Sequence, residues 1–106
     1  MIEYDWLNLD KRCFVLGIEI PFPECQGGHL VSHNNGGRLG KNIKPMYRPI
    51  NNFMSDQNYD DFMKEHMPNG KVITKKIYDY MERHASEEII KVLKKVGIMD
   101  KSTITK

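Results

Sequence analysis

Apolar positions fall into two regimes along this chain. In the C-terminal part they recur at helical intervals: Ile73, Ile77, Tyr80 or Met81, and His84 share one stripe, and Ile89, Leu93 and Val96 share another. Ser86 stands where the second stripe needs an N-cap, and Gly97 stands where it needs a stop, which predicts a helix through Val96. A shorter helix is expected from Tyr59 to Met67, with Asn58 as its cap and Asp60 and Asp61 at the positive end of its dipole. Pro68-Asn69-Gly70 would end it. Phe62 and His66 share one of its faces.

Upstream the period shortens. Cys13-Phe14-Val15-Leu16-Gly17-Ile18-Glu19-Ile20 reads as a strand or hairpin arm, with Gly17 as a turn or bulge and Pro21 and Pro23 ending it. His29-Leu30-Val31, set between glycine pairs, reads as the second arm of a hairpin. Asn34-Asn35-Gly36-Gly37 signals a loop. Pro49 suits a first helical position, which places Asn51 and Asn52 in the opening turn of a helix. From Glu24 to Lys44 the chain is rich in Gly, Asn and His and poor in large apolar groups, so this region reads as an ordered loop or a site rather than core.

Composition narrows the picture only a little. A chain of 106 residues with 40% hydrophobic content makes one modest folded unit. A net charge of +2 and a pI near 8.5 permit a nucleic-acid partner without demanding one. Arg38, Lys41, Lys44 and Arg48 cluster with no acid among them, as either a solvated loop or a phosphate-facing patch. The N-terminus, Met1 to Trp6, is acidic and lacks an apolar run, so no secretory signal is read. The expectation is an intracellular chain, in cytoplasm or nucleus, whose Cys13 and Cys25 stay reduced. No apolar run approaches the ~20 residues of a membrane span.

The chemistry lies in an ordered series: Cys13-Phe14-Val15-Leu16-Gly17, then Cys25, Gly28-His29-Leu30-Val31-Ser32 and Gly36-Gly37. Asn42-Ile43-Lys44-Pro45-Met46 and Tyr47-Arg48-Pro49-Ile50-Asn51 follow, with Asn58 and Phe62 trailing. This stretch, about half the chain, resembles the HNH endonuclease family of ββα-metal nucleases, and most of all its branch built on a treble-clef zinc knuckle. That pattern opens with Cys-x-x-Cys-Gly, continues with Cys-Gly-His, an apolar pair and Gly-Gly, and closes with Asn-Leu-x-Pro and Cys-x-x-Cys-Asn. The chain departs from it at Leu16, Tyr47 and Ile50, where cysteines are usual, and in the longer step from Cys25 to Gly28. It departs again at Gly28, where many members carry an acid.

The resemblance implies an α+β fold: an HNH-like core of β-hairpin, loop and helix over residues 1–68, with about three helices packed on it over residues 69–106. It implies hydrolysis of DNA phosphodiester bonds. His29 would be the general base, suited by a pKa near working pH, and Asn42 would orient its ring. Asn51 would offer an oxygen to Mg²⁺ or Mn²⁺. Arg38, Lys41, Lys44 and Arg48 would contact the nucleic acid. The alternative is a catalytically silent HNH-derived module that binds nucleic acid or inhibits a protein partner. Structural zinc is not expected, because Cys13 alone remains of four sulfur ligands and the substituents suit an apolar plug. A different ligand set, Cys13, Cys25, His29 and His33, would consume the proposed base.

Overall fold

Gly17 decides the course of the first third of the chain. It sits at a φ of 72°, open to glycine at no steric cost, and the backbone reverses there. The Cys13 amide donates to the Ile18 carbonyl at 2.9 Å, the Gly17 amide to the Cys13 carbonyl at 2.8 Å, and Arg12 bridges Glu19. The run expected to be a strand is therefore a tight turn, with Gly17 turning it as anticipated. Cys13, Val15, Leu16, Ile18 and Ile20 are all buried, whereas a strand on a small sheet would alternate.

The computed structural model describes residues 2–31, 43–55, 57–67 and 73–100. Among them the fold is α+β: five helices and one two-stranded antiparallel sheet. Strand β1, Cys25–His29, pairs with β2, Ile43–Tyr47, in the register Cys25↔Tyr47 to His29↔Ile43. The histidine-bearing arm thus begins earlier than its apolar residues suggest, ends at His29, and pairs with the segment before Pro49 rather than with the Cys13 run. Pro45 is tolerated because both strands are edges, and its carbonyl accepts from the Phe14 amide at 2.8 Å.

Helix α1, Ile2–Asn8, is not anticipated by the pattern. It is held by Trp6, whose Nε1 donates to the Ile20 carbonyl at 2.9 Å and whose ring lies 5.2 Å from that of Phe22. Helix α2, Arg48–Met54, carries Pro49 in its first turn as expected. Three helices follow: α3, Tyr59–His66, α4, Lys75–His84, and α5, Glu87–Lys95. Asn58 precedes α3 at its cap position, and Ser86 caps α5 by accepting from the Ile89 amide at 3.3 Å. Gly97, at a φ of 86°, ends that helix. The loop and stop read at Asn34–Gly37 and Pro68–Gly70 lie outside the described residues.

One apolar cluster runs through the molecule. Met46, Ile50, Phe62, Ile77, Met81 and Leu93 are its most completely buried members, and it joins residues from both sides of position 68. Each such side chain contributes about 1.5–3 kcal/mol by leaving water. Phe53 ties α2 to α3 and α4, standing edge-on to Phe62 at 6.2 Å and to Tyr80 at 5.0 Å. Among the described residues no helix is long and apolar enough to cross a membrane.

Candidate functional site

The hairpin places two of the expected groups on its opposite faces. Side chains alternate along β1, so Gln26 and Gly28 face one way and Cys25, Gly27 and His29 the other. Helix α2 covers the first face: Asn51 Nδ2 donates to Gln26 Oε1 at 2.9 Å. A Cβ at Gly28 would meet Asn51 Oδ1 at 2.6 Å and Met46 Sδ at 2.4 Å. Helix α1 covers the second face, where a Cβ at Gly27 would stand 3.5 Å from Ile2 Cδ1. His29, the last residue of β1, is half-buried on this side, opposite Ile43. His29 and the Asn51 amide oxygen, which faces Gly28, thus stand at neighbouring positions of one strand end, on either side of it.

The cationic residues are dispersed. Lys44 is half-buried on β2 with its ammonium 5.9 Å from the centre of the Phe14 ring, a contact worth about 0.5–1 kcal/mol. Phe14 in turn lies 5.1 Å from the Tyr59 ring, so a lysine and two aromatic rings stand beside the hairpin. Arg48 is exposed at the start of α2 and donates to the Pro23 carbonyl. Asn42, Arg38 and Lys41, with His33 of the alternative zinc set, lie outside the described residues.

Among the described residues neither a zinc site nor a Mg²⁺ site has a full set of ligands. Where the Cys13 turn meets the β2–α2 junction, Cys13, Leu16, Tyr47 and Ile50 supply a single sulfur, and the Leu16 and Ile50 side chains carry no donor atom. The Tyr47 phenol is engaged elsewhere: it donates to Glu24 Oε1 at 3.4 Å and accepts from the Ser86 amide at 3.1 Å. Burial pushes the Cys13 thiol up from its ordinary pKa, despite the amides of Leu16 and Tyr47 aimed at it, which disfavours the thiolate that binds metal. The Cys25 thiol is pushed up as well, first by burial and then by the nearby Cys13. At the strand end, one carboxamide oxygen beside a thioether does not make the hard octahedral oxygen set that Mg²⁺ demands. Among the described residues no group of three His, Cys, Asp or Glu converges on one point.

Two residues that spacing did not single out shape this site. Gln26 clamps the Asn51 amide, and Met46, fully buried, fills the space over Gly28. Neither has a sequence signal of its own, because each acts through the strand register and the placement of α2. No family model, curated protein or solved structure matches this chain.

Proposed function

We propose that this chain is a catalytically silent, HNH-derived module that binds nucleic acid at the end of its hairpin. An antiparallel hairpin followed by a helix entered through Pro49 is compatible with the coarse architecture of that resemblance. The observation that carries the silent form is the closure at Gly28. A second metal-binding side chain there would have to displace Met46 Sδ and Asn51 Oδ1, 2.4 and 2.6 Å from its Cβ position. Lys44 on β2 and Arg48 at the start of α2 supply cations for a phosphate backbone, and Arg38 and Lys41 belong to the same expected set by sequence.

The test is a pair of measurements on the purified chain. Plasmid DNA incubated with Mg²⁺ or Mn²⁺ should stay uncut, and labelled DNA should bind with an affinity that falls as salt rises. Lys44→Ala and Arg48→Ala should each weaken binding regardless of base sequence and reduce the logarithmic salt slope by about 1. Binding that ignores salt and both substitutions would overturn the proposal. An interaction with a protein partner alone would point to the inhibitor form instead.

One observation favours a second reading as an endonuclease. His29 stands half-buried at the strand terminus, and the Asn51 amide oxygen faces its immediate neighbour Gly28. In that reading His29 is the base, Asn42 orients it, and Mg²⁺ or Mn²⁺ arrives with the substrate phosphate. Metal-dependent nicking that His29→Ala abolishes would select it.

A further inference from the structure

A tight turn and a strand-to-helix junction meet inside the core. The turn runs from Cys13 to Gly17, and at the junction β2 passes directly into α2, with Tyr47 as the last strand residue and Ile50 in the first helical turn. Each sends two side chains inward, three residues apart: Cys13 with Leu16, and Tyr47 with Ile50. Their exposures are 1%, 2%, 1% and 0%. The Cys13 sulfur joins the two, accepting from the Leu16 amide at 3.4 Å and from the Tyr47 amide at 3.2 Å. Paired positions of this spacing, one pair from each of two segments, are how a structural zinc ion gathers four ligands. Here three corners are carbon or a phenol held elsewhere.

We infer that the chain has exchanged a metal-centred cross-link for an apolar one, while its backbone still directs four corners at a common centre. Leu16, Tyr47 and Ile50 are buried with Cys13 in one apolar cluster, and the two N–H···S contacts tie the Cys13 turn to the β2–α2 junction. The fold therefore needs no metal, whatever the fate of the nuclease reading. Cysteines restored at the three other corners would recreate a tetrahedral thiolate site.

Zinc analysis and chelation test the first half. The purified wild-type chain should hold far less than one equivalent of zinc and melt at the same temperature with and without EDTA. Stoichiometric zinc, or a melting point that falls on chelation, overturns the inference. The packing itself is tested by Ile50→Ala, which should lower the melting temperature by about 10 °C. A shift no larger than that of a surface substitution counts against it.

The second half uses the combined variant Leu16→Cys/Tyr47→Cys/Ile50→Cys, refolded with Co²⁺. It should take up one ion, show the visible bands of a tetrahedral tetrathiolate complex, and gain thermal stability that EDTA removes. A variant with helical circular dichroism but no such spectrum refutes the convergence of the four corners. Because Tyr47→Cys also removes the phenol contacts, the Leu16→Cys/Ile50→Cys variant provides a second probe. With three sulfurs around an unchanged Tyr47 it should bind Co²⁺ more weakly than the triple variant, and equal binding by the two refutes a corner at position 47.

Discussion

Gly28→Ala should destabilise the protein although it adds only one methyl group to a strand. The new Cβ would lie 2.4 Å from Met46 Sδ, 3.0 Å from Met46 Cε and 2.6 Å from Asn51 Oδ1. Neither neighbour yields easily: Met46 is fully buried, and Asn51 is tied to Gln26. Overpacking of this kind costs about 1–3 kcal/mol. Gly28 does not sit at positive φ, so alanine recovers about 0.5–1 kcal/mol by restricting the unfolded chain. The net expectation is a loss of about 1–2 kcal/mol, or roughly 4–8 °C in melting temperature per kcal/mol.

A double-mutant cycle with Met46→Ala identifies the cause. Met46→Ala alone opens a cavity and should cost about 2–5 kcal/mol. In the Gly28→Ala background the thioether no longer opposes the methyl group, so the two losses should fall short of their sum by about 1–2 kcal/mol. Urea denaturation of the four proteins, with unchanged m values, measures this. A Gly28→Ala protein as stable as wild type, or strictly additive losses, would refute the claim that Met46 closes the space at the strand end.

Two further outcomes follow from the same contacts. Ser86→Ala should cost about 1 kcal/mol by removing the cap of α5, and the loss should not add to that of Tyr47→Phe, because both residues serve the same helix start. Thermal melts of the two single variants and the double variant read this directly. His66 makes stability depend on pH. Burial holds its imidazole below the ordinary value of 6.5, against the opposing pull of the adjacent Glu65, so the folded state favours the neutral ring more than the unfolded chain does. Its contribution is complete above that value and is lost as pH falls from there through the lower folded pKa. Urea midpoints should therefore hold above the ordinary imidazole pKa and drop as pH falls below it. His66→Phe, which suits the edge-on contact with Phe53 at 5.0 Å, should flatten that drop. An unchanged pH dependence would remove His66 as its source.

The helices were legible where their signals are local. Ser86 and Gly97 mark α5 by chemistry at its two ends, and Pro49 marks the start of α2, so each could be read without knowledge of its packing. Strand β1 is different. Cys25-Gln26-Gly27-Gly28-His29 has little intrinsic strand preference, and it pairs because Tyr47 and Ile43 meet its ends while α1 and α2 cover its faces. The Cys13 run misleads in the opposite sense, since a turn buried on all sides carries the same apolar residues as a strand. Helix α1 rests on the fit of Trp6 against Ile20 and Phe22, a long-range contact with no trace in its own seven residues.

The candidate site divides in the same way. His29 and Asn51 could be picked out by order and spacing alone, because a motif records which residues occur in sequence. The clamp from Gln26 and the plug from Met46 depend on which strand faces pair and on where α2 lies, and a linear pattern holds neither. Sequence reading could therefore nominate the polar groups but could not tell that the space between Gly28 and Asn51 is filled.

The Tyr47 phenol reaches from the β2–α2 junction to the backbone amide of Ser86, the N-cap of α5, so one hydroxyl links positions 39 residues apart. Fragments divided between Met67 and Ile73 would each lose half of that link and expose a slab of shared interior. A gene encoding the hairpin end without its helical end should therefore yield sticky, proteolysis-prone material rather than a usable miniature. Evolutionary shuffling of the two ends between proteins would meet the same obstacle.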